Sequence, residues 1–147
     1  MAGERISIMQ GLQSQLWALK DTKGIKLVEW YLRKKVTLSV LPAIFLLDLG
    51  DEVMQVGPFE NKRLWTIGTA LFISGVADTT MQTLGEFQDA IKEQVFLYGN
   101  QIGKTHKAFI TESLIEPVLY PETDNNVIAQ VTHFQLKYVE SLRSRWT

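Results

Sequence analysis

The first apolar positions of the chain, Met9, Leu12, Leu16 and Leu19, recur at spacings of three and four with Gln10, Gln13, Gln15 and Lys20 between them. That period predicts an amphipathic helix over Glu4 to Leu19, ended near Asp21-Thr22-Lys23-Gly24. Gly11 weakens such a helix by up to about 1 kcal/mol against Ala unless a close neighbour needs the gap. Ile25 to Lys35 fits two periods at once: Ile25, Val28 and Leu32 suit a helix, and Val28, Trp30 and Leu32 suit a strand.

From Val36 the period becomes two, with Val36, Leu38 and Val40 alternating with Thr37 and Ser39, followed by the apolar run Ala43 to Leu47. Pro42 has no N–H for a ladder, so it marks an edge, a bulge or the join of two short strands. Asp48 to Lys62, rich in Gly, Pro, Asn and acidic residues, reads as a long loop or a hairpin whose tip projects from the body. Arg63 to Ser74 is a clear strand. Trp65, Ile67, Leu71 and Ile73 point one way, and Thr66, Gly68, Ala70 and Ser74 the other. The second face is small rather than charged, so it too is expected to be covered.

Asp78, Thr79 and Thr80 offer N-cap oxygens for a second helix with the stripe Leu84, Phe87, Ile91, Val95 and Tyr98. Its expected wet face is Gln88, Asp89, Lys92 and Glu93, and Gly99 is placed to stop it. Lys107 to Glu116 reads as a strand stopped by Pro117, Tyr120 to Asn125 as a turn, and Asn126 to Glu140 as a long closing strand. On that strand Ile128, Thr132, Phe134, Leu136 and Tyr138 lie opposite Val127, Ala129, Val131, His133, Gln135 and Lys137. The expected fold is α+β in the order α-β-β-α-β-β. A mainly antiparallel sheet carries two principal helices packed on one face.

Composition narrows the function more than the fold. The 147 residues fit one domain, 1–147, with residues 141–147 as a C-terminal tail. Fifteen Lys+Arg against sixteen Asp+Glu give a net charge of −1, which offers no bulk attraction to nucleic acid or an anionic membrane. The absence of cysteine excludes disulfides, thiolate zinc sites and cysteine nucleophiles. The longest apolar run, Val40 to Leu47, falls far short of the ~20 residues of a spanning helix, and the N-terminus lacks a signal-peptide core. A soluble chain with no membrane partner is the expectation.

Candidate chemistry is sparse. Gly99-Asn100-Gln101-Ile102-Gly103-Lys104-Thr105 has three residues between its glycines where a phosphate loop needs four, and it follows a helix rather than opening one. A C-cap glycine and a turn explain it better. A small ligand-binding or enzymatic domain using Lys104, Thr105 and His106 is the rival it leaves open. His106 and His133 have no paired metal spacing and would have to converge with a carboxylate such as Glu112. Asp48, Asp51 and Glu52 lack the alternating ligands of a calcium loop. Arg33-Lys34-Lys35 beside Trp30 and Tyr31, and Arg143, Arg145 and Trp146 at the end, are weak basic-aromatic patches. No Ser-His-Asp arrangement is present, so catalytic, cofactor-binding and metal residues are all expected to be none.

The order of parts resembles the tail terminator (tail completion) proteins of long-tailed bacteriophages. The matching features are the N-terminal amphipathic helix, Leu41-Pro42-Ala43-Ile44-Phe45, Arg63-Leu64-Trp65-Thr66-Ile67, the helix Leu84-Gly85-Glu86-Phe87-Gln88-Asp89-Ala90-Ile91, and the strand from Asn126-Val127-Ile128-Ala129 to Leu136-Lys137-Tyr138-Val139. The resemblance implies a homo-oligomer, a ring of six subunits in the tail–neck region of a virion, assembled in the host cytoplasm. Its partners would be the tail tube protein, a head-completion or neck protein and, in contractile tails, the sheath, with DNA only as the passing genome. Other neck, connector or tube subunits share the pattern. The residues expected to carry assembly contacts are Asp48, Asp51, Glu52, Gly57, Pro58 and Phe59 in the long segment, Tyr120 and Asp124 in the later turn, and Trp146 in the tail.

Overall fold

A computed structural model of the chain describes residues 4–30, 40–74, 80–105, 108–119 and 127–141. Helices α1 (Glu4–Trp17) and α2 (Leu19–Lys23) lead into strand β1 (Leu27–Trp30). Strands β2 (Ala43–Val56) and β3 (Glu60–Ser74) follow, then helix α3 (Thr80–Thr105) and strands β4 (Phe109–Ile115) and β5 (Val127–Ser141). The five strands form one sheet in the order β1-β2-β3-β5-β4. Among the described strands only the β1–β2 pair is parallel. The expected α+β class, with a mainly antiparallel sheet, is the one observed.

Both long helices cover one face of this sheet. Ile8, Leu12, Leu16 and Leu19 from the N-terminal helices and Leu84, Ile91, Val95, Tyr98 and Ile102 from α3 bury together against the inward residues of the strands, Trp65, Ile67, Phe134 and Leu136 among them. The inward stripe of α1 starts at Ile8, with Met9 at its margin rather than on it. The chain breaks at Ala18 and resumes as α2, which closes at Gly24 in a left-handed conformation (φ 72°). The opposite face of the sheet carries a second cluster, Ala43, Phe45, Ala70, Phe72, Val127 and Ala129, as the small outward residues of β3 required. Phe45 meets Phe72 edge to face.

Of the two readings of segment 48–62, the hairpin is the one observed: β2 and β3 run on through it to a tip at Gly57-Pro58-Phe59. Two expectations need correction. Gly99 does not stop α3, which continues to Thr105. Gly99 instead lies mid-helix facing β4, where a Cβ on it would stand 3.4 Å from the Cβ of Ile110, at the edge of ordinary contact. Gln88 is not on the wet face. It is buried, accepts a hydrogen bond from Thr132 Oγ1 (3.0 Å) and donates to Gln130 Oε1 (3.3 Å), which lets a polar helix residue face the polar rung of β5. The ambiguous Ile25 to Lys35 resolves in its first half as β1. Residues 31–39, with most of the expected Val36–Val40 strand, lie outside the described residues.

Candidate assembly surface

The body ends where the hairpin leaves it. Beyond Leu46, β2 has no strand on its outer side among the described residues, because β1 pairs only Ala43 to Leu46. On the inner edge of the hairpin β5 runs as far as Ser141, opposite Glu60.

What aims this projection is one extra residue. Between the rungs Asp48↔Ile67 and Asp51↔Trp65, β2 advances three residues while β3 advances two. That is a β-bulge, and Gly50 within it takes φ 117° and donates its N–H to Asp48 Oδ1 (3.1 Å). In a regular strand Asp48 and Asp51, an odd number apart, would point to opposite faces. The bulge turns both carboxylates to the helix side, where they meet Trp65.

Around them lies a dense polar network. Trp65 Nε1 donates to Asp48 Oδ1 (2.8 Å), and Tyr138 Oη donates to Asp51 Oδ2 (2.7 Å). Arg63 Nε donates to Asp51 Oδ1 (3.0 Å), and its Nη1 lies 3.6 Å from Glu140. Arg5 of α1 reaches over the Trp65 ring, 4.9 Å from its centroid, and bonds Asp48. Trp65 itself stacks on Trp30 (5.8 Å, 11°) and meets Tyr138 at an angle. The Asp51 side chain is only 4% exposed. Burial lowers the proton affinity of the Arg63 guanidinium, but the hydrogen bond and charge of Asp51, aided by Tyr138 and Glu140, raise it on balance. Burial, then the Asp51 hydrogen bond and charge, lift the Tyr138 phenol well above its usual range. The whole group ties α1, the hairpin root and β5 into one piece.

Outside the network the hairpin exposes large apolar side chains among Glu52, Gln55, Glu60 and Lys62. Val53, Met54, Val56 and Phe59 are exposed, Val56 by 77% and Phe59 by 62%. On the sheet face away from the helices, Met54, Lys62, Phe109, Lys137 and Val139 line an open groove of about 340 Å³.

Among the expected contact residues, Asp48 and Asp51 turn inward to the network, while Glu52, Pro58 and Phe59 are exposed and Gly57 is half-buried at the turn. Tyr120, Asp124 and Trp146 lie outside the described residues, as do His106 and the basic patches at 33–35 and 143–145. Gly99 to Thr105 is helical throughout, so no loop of amides exists there to cradle a phosphate. His133 Nε2 lies 2.5 Å from Glu116 Oε2, its one hydrogen-bond partner among the described residues, and Glu112 pairs with Lys92 (3.3 Å). Glu112 is therefore not drawn toward His133. Among the described residues no group of three metal-binding side chains converges, and no helix is long and apolar enough to cross a membrane.

No protein-family model matches the chain, and none of the curated proteins compared with it does. Its fold is similar to that of a chain in the virion of a native gene transfer agent particle, with a TM-score of 0.54 at 10% identity, over 88% of this chain and 92% of that one. At such identity the likeness establishes the fold alone.

Proposed function

We propose that this chain is a structural virion protein of the tail terminator kind. It forms a ring on the end of a tail tube, stops polymerisation of the tube, and presents a surface to head-completion proteins. The observation that carries this is the fold likeness to a chain of a phage-like virion over nearly the full length of both.

Two features of the chain support it. The hairpin root is locked by a buried carboxylate and aromatic stacking, while its outer half exposes Val53, Met54, Val56 and Phe59 among polar residues, which is the division of labour of a docking element. Among the described residues the outer edge of β2 past Leu46 pairs with no strand, and it is broken by bulges between Asp48 and Asp51 and between Val53 and Gln55. Such an edge resists indiscriminate pairing yet accepts a specific partner. Contacts made by Glu52, Gly57, Pro58 and Phe59 to a neighbouring subunit or to the tube follow from this reading. So do contacts by Tyr120, Asp124 and Trp146.

The test is sedimentation velocity of the purified protein across concentration, with negative-stain images of the heaviest species. Closed rings of about six subunits are the expected result, and deletion of the Gly57-Pro58 tip should abolish them while leaving the fold intact. Open-ended stacks would instead identify a tube subunit and refute the terminator role. Rings that survive the tip deletion would remove the hairpin from the interface.

A further inference from the structure

Two surfaces of the chain complement each other but cannot meet within one copy. The first is the outward stripe of α3, where Glu86, Asp89 and Glu93 are exposed one turn apart and are followed by exposed Leu97 and by Phe96, which stays partly exposed while its ring meets Phe134 of β5 edge to face. Among the described residues neither Asp89 nor Glu93 has a cationic partner. The second is the groove on the far side of the sheet, with an apolar floor that includes Met54, Phe109 and Val139 and two ammonium groups, Lys62 and Lys137. Lys137 lies over the Phe109 ring at 5.5 Å, and Lys62 has no anionic partner among the described residues.

The spacings agree. Lys62 is opposite Val139 and Lys137 opposite Leu64, so the two lysines form a diagonal pair on one face. Such pairs stand about 7–8 Å apart. Asp89 and Glu93, one helical turn apart, are separated by about 6 Å. Each carboxylate can therefore reach one ammonium, with Phe96 and Leu97 set against the apolar floor beside them.

Orientation decides the partner. Helix α3 covers the helical face of the sheet, and its acidic stripe points away from the sheet, whereas the groove opens on the opposite face. A helix layer about 10 Å thick and the sheet itself lie between them. Only a second copy can bring them together, and it does so with two different surfaces, the head-to-tail contact from which rings are built. The geometry points to a self-association in which the α3 stripe Asp89–Glu93–Phe96/Leu97 of one copy seats in the Lys62–Lys137–Phe109 groove of the next. This deepens the ring reading and rests on it for closure, not for the pairing.

The native chain has no cysteine, so single thiols report contacts cleanly. K137C mixed with E93C and treated with a short bismaleimide should give mainly the mixed dimer, with little product from either variant alone. In parallel, K62E/K137E and D89K/E93K should each lose self-association by at least about tenfold, because like charges then face each other. Mixing the two should restore it, since each variant's groove then opposes the other's helix. All four side chains are exposed, and circular dichroism checks that the variants fold. A mixed cross-link no more abundant than the like-with-like products, or a mixture as dissociated as its components, would overturn the pairing. Retention of a short DNA duplex by the lysine groove without any mixed cross-link would also overturn it. Wild-type rings without the cross-link would sink the pairing and leave the terminator role standing, and cross-links within open stacks would do the reverse.

Discussion

Replacing Gly11 by Ala should destabilise this protein, although helix propensity alone says the opposite. Ala in a helix interior is favoured over Gly by about 0.8–1.0 kcal/mol, so an isolated α1 would gain. In the fold, however, Tyr98 of α3 crosses α1 at Gly11. A Cβ built there stands 2.7 Å from Tyr98 Cε1 and 2.8 Å from Cζ, and the ring passes over it to donate its hydroxyl to the carbonyl of Ile8 (3.1 Å). The ring is rigid and 7% exposed, so relief means moving it out of the core and giving up that hydrogen bond. Overpacking of this kind costs about 1–3 kcal/mol and the hydrogen bond about 1 kcal/mol. Set against the propensity gain, the net loss is about 1–3 kcal/mol. Urea unfolding followed by circular dichroism reads it directly, and the decisive comparison is a double-mutant cycle with Tyr98→Ala. Without the ring, G11A should become neutral or stabilising by up to about 1 kcal/mol. A stabilised G11A in the native background, or the same effect in both backgrounds, would refute the steric account.

Other consequences of the same packing are directly measurable. Asp51→Ala should cost about 3 kcal/mol in urea unfolding, because it strands the part-buried Arg63 and the Tyr138 hydroxyl. Arg5→Ala should cost under about 1 kcal/mol, since that side chain is 40% exposed. Equal losses in the two variants would contradict the buried network. Stability should also fall as pH rises above about 10. Burial holds the Tyr98 phenol at about 12, so between those values the unfolded chain has lost a proton that the folded chain keeps. Tyr138 adds to the same alkaline slope, and Tyr98→Phe should flatten it in a pH series of unfolding midpoints. An unchanged slope in that variant would put the titration elsewhere.

Periodicity made most of the fold legible in the sequence, because most of its elements have a single wet face. The stripe of α3, the two sides of β3 and those of β5 each read correctly, since a period of 3.6 or 2 survives wherever one side is buried. Gly99 misled because a C-cap glycine and a mid-helix glycine facing a strand look alike in sequence; the strand here, with Ile110 on β4, comes eleven residues later. Gln88 misled because its partners Gln130 and Thr132 are more than forty residues away. The projecting hairpin was half legible. Turn-forming residues dominate its sequence, yet the ladder to β3 and β5 makes strands of them. The polar network could not be read at all, because it depends on a bulge that breaks the alternation between Asp48 and Asp51. The pair Asp-Leu-Gly-Asp was visible as a cluster of acids, and only the extra residue puts both on the tryptophan side. The groove likewise joins Met54, Lys62, Phe109 and Lys137 from four strands, and no local pattern links them.

If one extra residue aims the hairpin, its glycine should matter more than other glycines of unusual conformation. Gly50 and Gly24 offer a controlled pair. Both have positive φ, 117° and 72°, and a Cβ added to either meets nothing within 4 Å, so any cost is one of backbone alone. Gly24 lies in the left-handed helical region, which an Ala reaches for about 1 kcal/mol. The φ of Gly50 lies outside that well, where side chains other than glycine are strained by about 1–3 kcal/mol. Gly50→Ala should therefore lose more than Gly24→Ala in urea unfolding. Its lost energy has a local outlet, which is to undo the bulge and shift the register of β2 past Asp48. That shift would carry Asp51 to the outer face, away from Arg63 and Tyr138. The Trp65 environment reports it, since Asp48 and Asp51 both bear on that ring's surroundings. Gly50→Ala should shift tryptophan emission before global unfolding, whereas Gly24→Ala should not. If the two variants lose the same stability and leave the emission unchanged, the bulge is a passive irregularity and the orientation of the hairpin must be set from its tip.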